Sequence, residues 1–293
     1  MDPSLRAELA VLLDAEVVAW KPLSGGDVAT TIRVVLDDGR TVVAKTHRDP
    51  PPGCFLTEAE SLRWLRAARA VNVPEVIAVQ DGRAPADTGP TAILVMSWVE
   101  AAGWGVADEE GFGRQLAALH RAGAPHFGRI DRRPTTSRQL PNDPVDVWTE
   151  FFAEQRLRPL ARLGRDAGAL PDAVVAGVER VADHLGRYAA GNQPPSRLHG
   201  DLWAGNRLVD SAGRSWLVDP AAHGGHREFD LAMMRLFGGF GEAAFAAYAE
   251  AWPLADGWQE RVSLHQLAPL MSHAIRFGGG YINATAEAVS RLI

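Results

Sequence analysis

The hydrophobic pattern of the first hundred residues predicts a small region rich in β-strands. Segments 32–36 and 41–45 flank Asp38-Gly39, an arrangement typical of a β-hairpin whose turn lies at the dipeptide. A first helix, capped by Ser4, is predicted by apolar residues at helical spacing, namely Leu5, Leu9, Leu12 and Leu13. A second helix is expected over 55–70, with further strands over 76–79 and 91–98.

From residue 108 onward the apolar positions recur at helical spacing. The sequence predicts helices over 108–121, 145–163, 171–190, 229–237, 242–252 and 258–277. A short hairpin interrupts them, with strands over 207–209 and 215–218. We therefore expect an α+β protein with a small β-rich lobe over residues 1–100 and a larger, mainly helical lobe over residues 101–293.

Composition narrows the possible classes of function. The 293 residues are 46% hydrophobic and 23% charged, as in an ordinary globular protein, and the net charge is −6. An acidic chain without a basic run is a poor binder of nucleic acid or anionic membranes. Cys54 is the single cysteine, which excludes an intramolecular disulfide. The sequence shows neither a signal peptide nor a membrane span of about 18 apolar residues, so we expect a cytoplasmic protein. We also expect a monomer, although the sequence leaves the oligomeric state open.

The most informative stretch is a loop that carries an aspartate and an asparagine five residues apart, Asp201 and Asn206. Protein kinases use this pair at this spacing, the aspartate to orient the attacking hydroxyl and accept its proton and the asparagine to bind a metal. Asp219, at the end of an apolar strand, is placed to be a second metal ligand. Each residue alone would be typical of a loop cap or a turn, whereas the three together indicate phosphoryl transfer.

The N-terminal region contains residues that complement this loop. Lys45 closes an apolar strand and can place a point charge on the phosphates of ATP, although a lone lysine also suits a strand edge. Glu58 shares a helix face with Leu62, so we expect it to pair with Lys45. Glu60 lies off that face and is expected to form a capping box with Thr57.

Gly25 and Gly26 precede the first hairpin strand and could cover a phosphate, because glycines let backbone N–H groups approach an anion. The same two glycines would suit an ordinary loop. The sequence has no G-x-x-x-x-G-K-[ST] motif, which disfavours a P-loop nucleotide hydrolase.

Together these residues resemble the fructosamine/ketosamine kinase family, which has an aminoglycoside-phosphotransferase-like, protein-kinase-like fold. The family's H-G-D-L-W-x-G-N motif is matched at 199–206, and its Leu-Trp pair points to this branch of the superfamily. A D-P-A run followed by G-H-x-E-x-D is matched between Asp219 and Asp230, and an F-G-G-F stretch at 237–240. The resemblance covers nearly the whole chain. It implies a two-lobed protein-kinase-like fold and ATP-dependent phosphorylation of a ketosamine at its carbon 3 hydroxyl, leading to deglycation.

The resemblance also implies roles for individual residues. Asp201 matches the catalytic base, Asn206 and Asp219 the Mg²⁺ ligands, Lys45 the phosphate-binding lysine and Glu58 its partner. The segment from Met96 to Val99 matches the hinge that holds adenine through backbone groups, so Met96 and Trp98 join Gly25 and Gly26 as candidate nucleotide-binding residues.

Three further residues are candidates for contact with the sugar. Trp203 could stack on the substrate or could wedge the loop in place, while His226 and Glu228 could line the sugar site or could satisfy backbone groups. Asp230 is expected to be a helix cap that braces the catalytic loop, and His199 to support the same loop.

Three other positions are interpreted as structural or as departures from the family. Many relatives carry a cysteine in the glycine-rich turn, where this chain has Asp27, so a redox switch at that turn is not expected. Cys54 is expected to be a small buried apolar residue, and His120, on an amphipathic helix, to be structural.

Two other functions stay open from the sequence. The first is another small-molecule kinase of the same fold, acting on an aminoglycoside, choline or a thio-sugar. The second is a nucleotide-binding pseudokinase, against which the complete set of candidate residues argues. The expected substrate is a small ketosamine or a glycated protein lysine, with the preferred sugar left open.

Overall fold

The chain passes twice through each of two structural units. The computed structural model describes residues 1–23, 29–47, 49–81, 92–135, 139–188 and 193–293. Over these residues the N-terminal unit comprises Met1–Asp108 with Arg207–Pro220, and the C-terminal unit comprises Glu109–Asn206 with Ala221–Ile293. The short hairpin over 207–220 therefore groups with the N-terminal residues, and the lobe boundary expected at residue 100 stays a prediction.

Where the structure describes it, the first segment of the N-terminal unit contains two α-helices, a short 3₁₀ helix over Trp104–Val106 and a sheet. Its elements are α1 (Pro3–Leu13), β1 (Val17–Pro22), β2 (Thr30–Leu36), β3 (Thr41–His47), α2 (Cys54–Ala67), β4 (Val76–Gln80) and β5 (Ala92–Ser97). Within the described residues these strands form an antiparallel sheet in the order β1-β2-β3-β5-β4. The predicted hairpin of β2 and β3 is confirmed, and its turn places Gly39 at φ 86°, where glycine pays no steric penalty.

The core of this unit fixes which way Lys45 points. One face of the sheet packs under α1, and the buried side chains there are Leu9, Leu13, Val17, Ile32, Val34, Leu36, Val42, Ala44, Ile93 and Val95. Successive side chains of a strand point to opposite faces. Because Ala44 faces α1, its neighbour Lys45 lies on the other face of β3.

The remaining elements follow in chain order. Residues 109–206 contain α3 (Glu109–Arg121), α4 (Trp148–Phe152), α5 (Arg158–Asp166), α6 (Asp172–Asp183) and β6 (Ser196–Leu198). The hairpin of the N-terminal unit follows as β7 (Arg207–Val209) and β8 (Ser215–Leu217). Residues 221–293 contain β9 (His223–Gly225), which pairs with β6, and then α7 (Glu228–Phe237), α8 (Glu242–Ala251), α9 (Val262–Phe277) and α10 (Gly280–Ser290).

Several elements differ from the sequence-based expectation. The helix expected over 145–163 is divided by a π-helical segment over 153–157, next to Pro159, which has no N–H to continue the α-helical ladder. The strands β1, β6 and β9 and the helix α10 were not predicted. In β1 the burial pattern does not alternate, and β6 and β9 are too short to show a period.

Two helix caps were predicted wrongly. The N-cap of α1 is Asp2, whose side chain accepts from the backbone N–H of Ser4 at 2.8 Å. Ser4 lies inside the helix, because Pro3 occupies the first turn, where a missing N–H costs nothing. The capping box of Thr57 with Glu60 does not form, since α2 already begins at Cys54, and Glu60 instead pairs with Arg63 at 2.6 Å.

In the C-terminal unit α3 and α8 pack with their backbones close together. A Cβ atom added at Gly113 of α3 would overlap the carbonyl oxygen of Ala244 in α8. Around the other helices the core contains Leu157, Leu160, Leu264 and Leu267, all fully buried or nearly so. No helix within the described residues combines the length and apolar character needed to cross a membrane.

The close approach of α3 and α8 yields a first prediction. Gly113→Ala improves intrinsic helix propensity, yet we expect it to lower the free energy of unfolding by about 1–3 kcal/mol, because the added methyl group forces the two backbones apart. Urea unfolding followed by circular dichroism measures the change. The control is Gly280→Ala in α10, where a Cβ meets no atom within 4 Å and stability should change by less than about 1 kcal/mol. Equal stability of Gly113→Ala and wild type would contradict this packing.

Candidate active site

In the N-terminal unit, Lys45 is held between two carboxylates. Its Nζ donates to Glu58 Oε1 at 2.8 Å and Oε2 at 3.0 Å, and to Asp219 Oδ1 at 2.7 Å. Lys45 comes from β3, Glu58 from the buried face of α2, and Asp219 from the chain just after β8. The ion pair of Lys45 with Glu58 that helix periodicity predicted is present.

Burial and charge act in opposite directions on this cluster. Burial disfavours the charged form of Lys45, but Glu58 and Asp219 outweigh that cost and raise the pKa of the lysine above its ordinary value. Burial raises the pKa of Glu58 above its ordinary value, against the opposing effect of Lys45. The lysine therefore stays charged at neutral pH and is held in place by its two carboxylate partners.

Asp219 differs from Glu58 in exposure and in backbone conformation. Its side chain is 39% exposed, so part of the carboxylate stays open to ligands while Lys45 holds one oxygen. Its φ is 54°, in the left-handed region, which a non-glycine residue adopts at a cost and which recurs at functional sites. The local backbone thus turns this carboxylate out of the strand direction.

In the C-terminal unit, the predicted catalytic loop brings Asp201 and Asn206 together. Asn206 Nδ2 donates to Asp201 Oδ2 at 3.0 Å and to the backbone oxygen of Asp201 at 2.8 Å. A short 3₁₀ turn over Ala204–Asn206 closes the loop. The five-residue spacing therefore corresponds to a compact turn whose two polar side chains contact each other directly.

Asp230 supports this loop from beneath, as predicted. Its fully buried carboxylate accepts from the backbone N–H groups of His199 at 2.7 Å and Gly200 at 2.9 Å. It also contacts His120 Nε2 at 3.2 Å, and His120 Nδ1 lies 2.8 Å from the hydroxyl of Tyr248. Burial alone would raise the pKa of Asp230, but His120 and the backbone donors lower it below its ordinary value. Asp230 lies within the first turn of α7 rather than at the cap.

Gly200 is required where the loop meets the segment after Pro220. Its φ is 81°, and a Cβ atom there would overlap the backbone oxygen of Ala221. Any other residue would push the loop away from Asp230 or strain its backbone. This explains why glycine lies between His199 and Asp201.

The predicted nucleotide-binding residues outside the lysine cluster are placed as follows. Met96 is buried in β5, paired with Val43 of β3. Trp98 follows β5, and its Nε1 donates to Glu100 Oε2 at 2.6 Å. Gly25 and Gly26 lie outside the described residues. Contact of these four residues with a nucleotide stays a prediction.

Comparison with known proteins decides the family. The family model described as fructosamine kinase matches residues 6–293. The chain belongs to the fructosamine kinase family. A protein of Thermus thermophilus named as a probable ketoamine kinase is 36% identical over 283 residues, covering 95% of each chain. The crystal structure of a candidate fructosamine-3-kinase from Thermobifida fusca matches with 38% identity and a TM-score of 0.88, covering 100% of this chain and 99% of that one.

More distant solved structures share only the fold of this chain. A spectinomycin phosphotransferase, solved with ADP and spectinomycin, has a TM-score of 0.59 at 14% identity and covers 98% of this chain and 92% of its own. The family resemblance and the protein-kinase-like fold predicted from the sequence are therefore confirmed. So is the class of enzyme, since fructosamine kinases are phosphotransferases.

Within this fructosamine kinase, Trp203 and the pair His226 and Glu228 differ in exposure. Trp203 is 39% exposed beside Asp201 and packs its ring against Gly205 and Phe237. His226 and Glu228 are buried. Substrate contact by the three residues stays a prediction, and the open surface around Trp203 makes it the most accessible of them.

Glu228 forms a buried ion pair that the sequence did not predict. Arg261, just before α9, donates from Nε and Nη2 to the two carboxylate oxygens at 2.8 and 2.6 Å. Ligand atoms of His226, Glu228 and His265 lie within 4.8 Å of one another, a grouping that a metal could use. Because Arg261 already neutralises Glu228, a divalent cation would add uncompensated positive charge to a buried site, so we interpret the cluster as structural.

Three histidines of the C-terminal unit are buried in their neutral form. Burial lowers the pKa of His223 and of His226 to about 3 in each case, and burial also lowers the pKa of His265. His265 lies among aromatic rings, 5.3 Å from Trp148 and 4.9 Å from His226 between ring centroids. Charging any of them would require a buried imidazolium.

This burial predicts a specific dependence of stability on pH. As the pH falls below 6.5, the unfolded chain takes up protons on these histidines and the folded chain does not, so stability falls. Each histidine contributes up to about 1.4 kcal/mol per pH unit. Urea unfolding between pH 7.5 and 5 should show this slope. His265→Phe keeps a ring in place and should reduce the slope by the equivalent of about one proton. Identical slopes for variant and wild type would contradict a neutral, buried His265.

Proposed function

We propose that this protein transfers the γ-phosphoryl group of ATP to the carbon 3 hydroxyl of a ketosamine. The observation that carries the proposal is the pair of prepared groups: a lysine fixed by Glu58 and Asp219, and a carboxylate fixed beside Asn206. Membership of the fructosamine kinase family supports the ketosamine as acceptor. The names of the relatives, probable ketoamine kinases, support it further.

Lys45 supplies positive charge for the phosphates of ATP. Its ion pairs hold Nζ in place before the nucleotide binds, so little reorganisation is needed when negative charge accumulates on the transferred group. Glu58, with both oxygens on Nζ, acts as a positioning residue. Adenine would be held through the backbone of the segment that contains Met96 and Trp98.

Asn206 and Asp219 each offer an oxygen atom of the kind that binds Mg²⁺. Asn206 directs its Nδ2 to Asp201, which leaves its amide oxygen as an acceptor. Asp219 keeps part of its carboxylate exposed, and oxygen atoms of these two kinds are the ligands that Mg²⁺ prefers. When bound, the ion would offset negative charge on the phosphate oxygens.

Asp201 orients the acceptor hydroxyl and takes its proton. The sugar oxygen forms a bond to the γ-phosphorus, the bond from that phosphorus to the bridging oxygen of ADP breaks, and the hydroxyl proton moves to the Asp201 carboxylate. Asp230 keeps the loop in position through the N–H groups of His199 and Gly200. It acts on the reaction through Asp201 and not on the substrate.

The alternative acceptors are less well supported. An aminoglycoside or choline would suit the same fold. However, the spectinomycin phosphotransferase that shares this fold is only 14% identical to this chain. A pseudokinase would not need the complete set of Lys45, Glu58, Asp201, Asn206 and Asp219, which is present here. We further propose a monomeric protein of the cytoplasm, where ATP is abundant, that needs no nucleic acid or membrane.

Substitution of the proposed base tests this function. Wild-type protein with MgATP should phosphorylate a fructosyl-lysine adduct, and ³¹P NMR should place the phosphate on carbon 3. Asp201→Asn preserves the size of the side chain and removes the proton acceptor, so kcat should fall by at least about 100-fold. Binding of the nucleotide, measured by calorimetry, should survive.

The control is Asp166→Asn, which changes an exposed carboxylate of the same unit and should leave kcat unchanged. A substrate panel should show the ketosamine preferred over kanamycin and choline. Undiminished turnover by Asp201→Asn would overturn the assignment of the base. Phosphorylation of kanamycin or choline in place of the ketosamine would overturn the assignment of a ketosamine as the acceptor.

A further inference from the structure

Five aromatic side chains form a continuous surface that begins at the catalytic loop. This aromatic patch consists of Trp203, Phe237 at the end of α7, His273 and Phe277 of α9, and Tyr281 of α10. Trp203 is 39% and Phe277 is 51% exposed, and the other three rings are partly buried. All five residues belong to the C-terminal unit.

The rings contact one another in sequence across the surface. The centroid of Trp203 lies 5.8 Å from that of Phe237, in an edge-to-face arrangement, and Phe237 lies 5.0 Å from His273. His273 is 5.0 Å from Tyr281 and 5.6 Å from Phe277, and Phe277 is 6.1 Å from Tyr281. These spacings are those of interacting aromatic pairs, so the patch is an ordered surface and not a set of isolated rings.

The patch starts two residues from the proposed base. Trp203 follows Asp201 in the loop, and its backbone N–H donates to the backbone oxygen of Asp201 at 3.2 Å. Its ring covers Gly205, where a Cβ atom would overlap it. The patch therefore begins on the same short loop as the carboxylate that is proposed to hold the substrate hydroxyl.

The chemistry of a ketosamine supplies a group for this surface. Its carbon 1 carries a secondary amine, which is positively charged at neutral pH, and carbon 3 carries the phosphoryl acceptor. With the carbon 3 hydroxyl at Asp201, the ammonium group and its substituent extend away from the sugar. Aromatic faces attract ammonium groups and bury apolar substituents.

We propose that the aromatic patch binds the amine-bearing half of the substrate and selects for the size of its substituent. The inference rests on the proposed function. Arg276 already places its guanidinium 5.2 Å from the centroid of Phe277, which disfavours a second cation at that end. The ammonium group therefore belongs near Trp203 and Phe237, and the apolar substituent extends over Tyr281 and Phe277.

The test compares two substrates that share a sugar and differ in the amine. The probes are the 1-deoxyfructosyl adducts of methylamine and of 2-phenylethylamine, each phosphorylated with MgATP. Phe277→Ala and Tyr281→Ala should each lower kcat/KM for the phenylethylamine adduct by about 3- to 10-fold, mainly through KM. For the methylamine adduct, which does not reach the distal rings, the same variants should stay within about twofold of wild type.

Two further variants separate the roles of the patch. Phe277→Leu keeps an apolar side chain and should recover most of the loss of Phe277→Ala, because the distal end is proposed to bind an apolar substituent and not the ammonium group. Trp20→Ala removes an aromatic ring that is 46% exposed on β1 of the other unit. It should change neither substrate's kcat/KM.

The outcomes distinguish the inference from the function on which it rests. Equal losses on both adducts, or no loss on either, would overturn the role of the patch while leaving the kinase intact. If sedimentation shows a dimer for wild type and a monomer for Phe277→Ala, and the variant keeps its selectivity, the patch is instead an interface between two copies of the chain. That result would overturn the inference. If wild type phosphorylates neither these adducts nor their ribulosyl counterparts, the proposed function fails and the inference falls with it.

Discussion

A charge that is buried must be compensated, and this constraint organises the candidate functional residues of each unit. Lys45 is buried in the N-terminal unit and is stabilised by Glu58 and Asp219. Asp230 is fully buried in the C-terminal unit and is stabilised by two backbone N–H groups and His120. Removing one partner of such a group costs far more than a surface ion pair contributes. The elements that supply the partners are therefore held in a fixed arrangement around each charge.

Compensation of these buried charges also fixes where the proposed functional groups lie within each unit. In the N-terminal unit it ties β3, α2 and the segment after β8 to a single ammonium group, so the proposed phosphate-binding charge has a defined position before ATP arrives. In the C-terminal unit it ties α7 to the catalytic loop through Asp230, and α7 in turn to the chain before α9 through Glu228 and Arg261. Asp201 and Trp203 therefore belong to a loop that Asp230 holds in place through the backbone N–H groups of His199 and Gly200.

The sequence predicts the parts of this arrangement that have local signals. Glu58 follows Lys45 by 13 residues, and its place on a buried helix face was readable from its spacing to Leu62. The catalytic loop was readable because its residues lie within one short motif. In contrast, His120 and Asp230 are 110 residues apart and Glu228 and Arg261 are 33 apart, and no periodicity pairs polar residues over such distances. The wrong caps at Ser4 and Glu60 have a different cause, since the helices begin at Pro3 and Cys54, earlier than the polar residues that were interpreted as caps.

The most direct test of the central claim is a crystal structure of the protein with magnesium, a non-hydrolysable ATP analogue and a fructosyl-amine. The account predicts Lys45 Nζ on the phosphates, oxygens of Asn206 and Asp219 on the metal ion, and the Asp201 carboxylate within hydrogen-bonding distance of the carbon 3 hydroxyl. A complex in which the nucleotide contacts Lys45 while Asp201 and Asn206 bind neither metal ion nor sugar would contradict it.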